Sequence, residues 1–268
     1  MNRKGIVLAG GLGTRLYPIT KQISKQLLPV FDKPMIYYPI SILMQCKIRN
    51  ILIISTPKDI KNFKNLFGSG KKLGIKIKYK IQIKPNGIAE AFLIGKKFIN
   101  NCPVALILGD NIFFGNKFTE KIKKIKPSDN VILLCKTKHP KRFGVATINK
   151  KNILMEIEEK PKKPKSNLAV TGLYFYDKNV CKFSKLLKPS KRKELEITDH
   201  NNIYIKNKNM KAIILPKNIF WKDAGTFDSL LECSNQVKKF QDKSRQIVAS
   251  LEDISYKNKW IKNIGTKN

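Results

Sequence analysis

A chain of 268 residues can bury a sizeable core, as one extended α/β domain or as a core with an appended piece. No run approaches the roughly 18 apolar residues of a membrane span, and the apolar stretch after the basic start breaks at Gly10 and Arg15, so a soluble cytoplasmic protein without a signal peptide is expected. The formal charge of +35 points first to nucleic acid, but only six of the 54 basic residues are arginine and lysines accompany nearly every segment, so the expectation is a lysine-rich solvated surface with no specific nucleic-acid partner.

The first informative stretch is GIVLAGGLGTRLYPIT, residues 5–20, where an apolar strand (Ile6, Val7, Leu8) runs into Gly10, Gly11 and Gly13, then Thr14 and Arg15. A Walker A loop would need Gly-Lys-Ser/Thr, and a dinucleotide fingerprint would need a third glycine where Leu16 stands. What remains is a glycine turn whose backbone N–H groups can approach an anion, followed by a guanidinium that can fork onto phosphate oxygens.

Short β-rich runs then alternate with helical patterns: 4–9 then 34–47, 51–55 then 58–67, 75–83 then 87–99, 104–108 then 117–126, and 131–136. The alternation predicts βαβ units on a mostly parallel sheet flanked by helices, with ligands gathered at the carboxyl ends of strands. IKIKYKIQIK (75–84) alternates lysine with Ile75, Ile77, Tyr79, Ile81 and Ile83, which predicts one wet and one buried strand face. Within it Gln82, if buried, can pair with both a donor and an acceptor on a pyrimidine edge.

ALILGDN sets Asp110 at the end of a buried strand, where a carboxylate suits Mg²⁺ beside a nucleotide phosphate. Past about residue 140 the chain becomes β-richer (143–148, 153–158, 168–176, 211–215), with helices near 194–207 and 226–240. EEKP (158–161) places Glu159 and Lys160 at a strand end, a glutamate suited to sugar hydroxyls and a lysine suited to phosphate as a point charge. Asp223 in FWKDAGT is a second candidate metal ligand, since two carboxylates plus phosphate oxygens suffice for Mg²⁺. His139 and His200 stand near no nucleophile, which argues against a triad hydrolase and against imidazole-bound zinc. Five cysteines without a CxxC pair read as reduced core residues, and the tail, 241–268, reads as a helical appendage.

Taken together, KGIVLAGGLGTRLYPIT, ISKQLLPVFDKPMIYYPISILM, ALILGDN, EEKP, AVTGLYFYD, ELEITD and WKDAGTFDSLLE resemble the glucose-1-phosphate thymidylyltransferase family of sugar nucleotidyltransferases, collinearly from residue 3 to about residue 262. The block from Ser24 to Met44 is the most specific part. The resemblance implies a Rossmann-like core over 1–240, its nucleotide-binding part about 1–140 and its sugar-binding part about 141–240, followed by a shortened appendage over 241–268. It implies transfer of a thymidylyl group from dTTP to glucose 1-phosphate, by Mg²⁺-dependent in-line attack on the α-phosphate with pyrophosphate leaving. It further implies a homotetramer acting at the first step of dTDP-rhamnose and related deoxysugar synthesis for polysaccharides.

By the same resemblance Leu8, Gly10, Gly11, Gly13 and Thr14 would line the nucleotide, Arg15 and Lys25 would hold its triphosphate, and Gln82 with Gly87 would read the thymine edge. Asn111, Gly144, Glu159 and Thr171 would face the sugar, Lys160 its phosphate, and Asp110 and Asp223 would bind Mg²⁺; Arg15, Lys25, Lys160 and Asp110 would carry catalysis. The chain departs from the family at Phe143 (usually Tyr), Glu90 (usually Gln), Ile83 (usually Pro) and on both sides of Asp223, and it ends sooner. The resulting expectation is retained chemistry with weakened feedback by dTDP-rhamnose at the family's second nucleotide site. The alternatives are a UTP-using sugar-1-phosphate nucleotidyltransferase, since one methyl group discriminates by only ~1–3 kcal/mol, and a non-catalytic sugar-nucleotide-binding homologue.

Overall fold

The computed structural model describes residues 2–151 and 153–262. The fold is α/β, with a mixed, mostly parallel central sheet and flanking helices, as the alternation predicts. The chain divides into two compact units that interleave in sequence.

One unit comprises Lys4–Ile83, Ile107–Lys124 and the chain from Asn218 onward. Its strands Lys4–Ala9, Asn50–Ser55 and Lys76–Ile81 are parallel neighbours, with Ala9 opposite Ser55 and Ser55 opposite Ile81 at their carboxyl ends. The first two are continuous apolar runs because both faces are covered, and Ile6, Val7, Ile51, Ile53 and Ile54 are fully buried. The third is the last strand of the sheet, and its alternation is satisfied only in part: Ile75 and Ile77 are buried, but Ile81 and Ile83 are 45% and 80% exposed. The predicted buried face therefore fades towards the strand's end, where no further strand continues the sheet.

A pairing not anticipated from sequence joins Asn111–Gly115 to Ile219–Asp223, antiparallel, with Asp223 opposite Asn111. Beneath it Ile112, Phe114, Ala224, Cys233 and Val237 share a core with Val30, Met35 and Tyr38, and burying each large side chain stabilises by roughly 1.5–3 kcal/mol. The helix predicted over 34–47 is Tyr37–Gln45, preceded by the two-residue strands Pro29–Val30 and Lys33–Pro34. Thr226 caps the helix Phe227–Ser244 through a reciprocal bond pair with Ser229, and Ser250 caps Leu251–Lys257. This tail is tied down by Ser255 Oγ donating to the Leu73 carbonyl (2.7 Å) and Asn258 Nδ2 to that of Met44 (3.1 Å). The rest of the predicted appendage, 263–268, lies outside the described residues.

The other unit comprises Lys84–Leu106 and Ile125–Lys217, with Arg3. The fully buried strand Leu168–Tyr176 pairs antiparallel with Val131–Lys136 and Gly144–Ile148, Leu154–Glu159 pairs antiparallel with Gly144–Ile148, and Lys211–Ile214 pairs parallel with Val131–Lys136. The helix expected over 87–99 is broken at Gly95 into Glu90–Ile94 and Lys96–Ile99. On the helix Ile197–Lys206, His200 is fully buried among Phe92, Tyr176 and Tyr204, its Nε2 beside the Val180 carbonyl (3.2 Å) and its Nδ1 unpaired among the described residues. The five cysteines are free, as expected, but only Cys233 is a core residue; the other four are half-buried.

Candidate active site

In the first unit the strand Lys4–Ala9 ends in the glycine loop. Gly13 sits at φ 68°, in the left-handed region that favours glycine, and opens the short turn Thr14–Leu16; its carbonyl accepts the Thr20 hydroxyl (2.7 Å). A Cβ placed on Gly10 would lie 2.5 Å from the Gln82 amide oxygen, so only glycine lets that amide, itself 4% exposed, approach the loop. A Cβ on Gly11 would lie 3.6 Å from Lys25 Nζ, which puts the lysine at the loop's floor. The Leu8 carbonyl accepts the Gly109 N–H (2.9 Å), and this bond brings the end of the strand Val104–Leu108, and so Asp110, to the same place.

Lys25 and Asp110 form an ion pair whose side chains are 10% and 15% exposed. Burial pushes the Asp110 carboxyl up, but the Lys25 ammonium and its hydrogen bond, helped by Asn111 Nδ2 on Oδ1 (2.9 Å), outweigh this and hold it below the usual carboxylate range. Asn111 is buried and fixed on its other side by the Trp221 indole N–H (2.7 Å). Ala224 N–H donates to the Asp110 carbonyl (2.9 Å), tying the segment that carries Asp223 to the one that carries Asp110. Arg15 and Asp223 converge on Gly225, where a Cβ would lie 2.8 Å from Arg15 Nη2 and 3.3 Å from Asp223 Oδ2. The first unit thus gathers Gly10, Gly11, Lys25, Gln82, Asp110 and Asn111, with Arg15 beside Asp223 in the same unit. Sequence reading passed over Trp221, which orients Asn111, and Ser24 and Gln26, a buried bonded pair flanking Lys25 (2.6 Å).

In the second unit Glu159 and Lys160 close the strand Leu154–Glu159. Glu159 accepts the Thr198 hydroxyl (2.6 Å) and Arg192 Nη2 (3.3 Å), with Lys160 Nζ at 3.9 Å. A Cβ on Gly144 would lie 3.1 Å from Thr198 Oγ1 and 3.4 Å from Glu159 Oε2, so these three meet. Arg192 also bonds the buried Glu196 (2.8 Å), and Lys160 N–H donates to the Phe143 carbonyl (3.1 Å). Gly87, at φ 103°, presses on Leu195: a Cβ there would fall 2.4 Å from its carbonyl oxygen. Thr171 is fully buried within its strand, its hydroxyl without a partner among the described residues. Thr198, Arg192 and Glu196 were not singled out as site residues; the ELEITD stretch of the resemblance spans Glu196 and Thr198, and Arg192 lies outside it.

Chemically, the first unit offers backbone N–H groups, two cations and two carboxylates suited to a nucleoside triphosphate, and the second a carboxylate network with an exposed lysine. The Nucleotidyl transferase family profile matches residues 4–239. The glucose-1-phosphate thymidylyltransferase of Neisseria meningitidis serogroup A is 49% identical over 260 residues, 96% of this chain and 90% of that one. The enzyme of that name from Mycobacterium tuberculosis is 44% identical over 259 residues, again 96% and 90%. A Bacillus anthracis crystal structure assigned to the same activity, in complex with sucrose, superposes with a TM-score of 0.80 at 43% identity, covering 88% of this chain and 95% of that one. A UDP-glucose pyrophosphorylase bound to UDP-glucose gives 0.79 at 25% identity, covering 89% and 99%. The chain is an enzyme of the nucleotidyl transferase family and, within it, belongs to the glucose-1-phosphate thymidylyltransferases.

Proposed function

We propose that the protein transfers the thymidylyl group of dTTP to glucose 1-phosphate, giving dTDP-glucose and pyrophosphate. The observation that carries this reading is the largely buried Lys25–Asp110 pair at the floor of the glycine loop, in a chain 49% identical to a thymidylyltransferase. The attacking phosphate oxygen is already an anion, so the reaction needs orientation and neutralisation of two polyanions more than a strong base. In this reading Leu8, Gly10, Gly11, Gly13 and Thr14 present the backbone to the nucleotide, Gln82 and Gly87 read the base, and Arg15 and Lys25 take triphosphate oxygens. Lys160 holds the phosphate of the sugar, and Asn111, Gly144, Glu159 and Thr171 meet its hydroxyls.

Asp110 and Asp223 would hold Mg²⁺. The donor set fits: an ionised carboxylate has about four acceptor positions, of which Lys25 and Asn111 take two on Asp110, and Mg²⁺ completes its shell with water and phosphate oxygens. When bound, the ion neutralises phosphoryl charge. Lys25 keeps Asp110 ionised and Arg15 lies beside Asp223, so each candidate ligand already has a cation next to it. We further read the protein as a cytoplasmic homotetramer at the first step of dTDP-rhamnose or related deoxysugar synthesis, with nucleotide binding in about 1–140 and sugar binding in about 141–240.

Among the described residues no helix is long and apolar enough to cross a membrane, which is consistent with soluble phosphorylated substrates. The likeness to a UDP-glucose pyrophosphorylase favours one alternative, the same transfer from UTP. Pyrophosphate release from glucose 1-phosphate, followed with dTTP, UTP, ATP, CTP and GTP in parallel and with or without Mg²⁺, tests the reading. Release fastest with dTTP and abolished by chelator is expected. Equal rates with UTP would favour the uridylyl reading, and silence with every triphosphate alongside tight dTDP-glucose binding would make this a binding protein.

A further inference from the structure

Most of the 54 basic residues play no part in the chemistry above, and some of them are arranged in a row. Between Lys58 and Ile81 stand eight lysines and one acid, Asp59, which is buried and accepts the Thr56 hydroxyl (2.8 Å). Lys76, Lys78 and Lys80 alternate along the strand Lys76–Ile81, so they leave one face of the last strand in the sheet. All three are exposed, and among the described residues none pairs with a carboxylate. The opposite face is occupied: the Tyr79 hydroxyl donates to the carbonyls of Phe63 (3.3 Å) and Gly68 (2.6 Å) at the helix Ile60–Phe67.

The row runs towards the glycine loop. Lys80 is two residues from Gln82, whose amide lies against Gly10, and Ile81, Ser55 and Ala9 align across three strands. At ~3.3 Å per residue and ~4.8 Å between strands, Lys80 lies roughly 10–12 Å from the end of the first strand, with Lys78 and Lys76 about 7 and 13 Å further back. We propose that this lysine row is an approach surface for the nucleoside triphosphate: it draws the polyanion towards the loop and raises its association rate without touching it once bound. The proposal rests on the nucleotidyl-transfer reading of the site. Lysines on an edge strand also oppose edge-to-edge pairing, but that role gives nucleotide capture no dependence on their charge.

Screening sets the size of the effect. At an ionic strength of 0.01 M the Debye length is ~30 Å and all three lysines act on the ligand; at 0.15 M it is ~8 Å and Lys80 dominates. Stopped-flow association of mant-dTTP with the full chain, over a series of NaCl concentrations, reads this directly. The K76E/K78E/K80E variant is expected to associate roughly tenfold more slowly at low salt and within about twofold at 0.15 M, and K76Q/K78Q/K80Q, with half the charge change, about threefold more slowly at low salt.

The comparison variant K239E/K243E/R245E makes the same charge change at the far end of the helix Phe227–Ser244, roughly 18–28 Å along its axis from Thr226, and is expected to lose much less. Equal rates in native and edge variants, an equal loss in both triple variants, or no nucleotide association at all would overturn the proposal. Turnover is measured separately: if pyrophosphate release is absent while the edge variants still slow mant-dTTP association, the proposal stands and the assigned reaction fails.

Discussion

Each unit sets a carboxylate against a cation at the end of a strand, but they hold it differently. Asp110, 15% exposed, is balanced by the single ammonium of Lys25, 10% exposed. Glu159, 25% exposed, is shared among the Thr198 hydroxyl, Arg192 and Lys160, and those two cations are 40% and 48% exposed. A buried pair with one partner leaves a stranded charge when that partner goes, whereas an open network spreads the loss over several weak, screened contacts. In the proposed function the first arrangement would fix a charge where a polyanion is handled, and the second would tolerate substitution.

The largest expected effect breaks the first arrangement. Asp110→Asn removes the candidate metal ligand and leaves Lys25 without its counter-charge, so turnover should fall by about 10²–10³ in a pyrophosphate-release assay, the scale of losing one preorganised electrostatic contact to a transition state. Retained turnover would mean that the pair is structural only.

The second unit has a buried group of its own that opposes charge. Burial holds His200 down to about 4, against an ordinary 6.5. As pH falls below 6.5 the unfolded chain takes a proton that the folded chain refuses until about pH 4, so stability drops across that window, by ~3 kcal/mol in all. Thermal melts between pH 7 and 4 should show this slope in the native chain and a flatter one in His200→Phe; equal slopes would contradict it. Asp110, held low, adds its own loss only as pH falls below the ordinary carboxylate range.

Gly87→Ala places a methyl 2.4 Å from the Leu195 carbonyl oxygen at a backbone φ of 103°, and about 2 kcal/mol of destabilisation is expected in denaturant unfolding. Arg192→Ala should be the mildest, about 1–2 kcal/mol, because Glu159 keeps Thr198 and Lys160 while the buried Glu196 loses its cation and keeps the Ser190 hydroxyl. Its expected kinetic signature is a few-fold rise in KM for glucose 1-phosphate at nearly constant kcat; a collapse of kcat would show that the network is less redundant than its contacts suggest.

What was legible in the sequence follows from how far apart the partners lie. The glycine loop after Leu8 and the carboxylate after Gly109 could be picked out as candidates because strand, glycine and charged residue are neighbours in the chain, although a carboxylate there also suits a plain turn. The alternation along Lys76–Ile81 announced a strand, yet which of its faces would be covered depended on its place at the end of the sheet, and the local pattern does not encode that place.

The antiparallel pairing of Asn111–Gly115 with Ile219–Asp223 joins segments over 100 residues apart, so the register that sets Asp223 opposite Asn111 had no local signal. Glu159 was identified from EEKP, but its partners Arg192 and Thr198 lie 33 and 39 residues on and read locally as ordinary surface and helix-start residues. Thr171 was named only through resemblance, and its buried hydroxyl, without a partner among the described residues, is a local oddity that marks it.

The most direct test of the account is steady-state pyrophosphate release at saturating dTTP and glucose 1-phosphate, with the native chain, Asp110→Asn and Glu159→Gln side by side. In Asp110→Asn kcat is expected to collapse, while Glu159→Gln keeps most of kcat and shows its deficit as a higher KM for the sugar phosphate. The reverse order, with kcat resting on Glu159 and indifferent to Asp110, would contradict the assignment of charge handling to the Lys25–Asp110 pair.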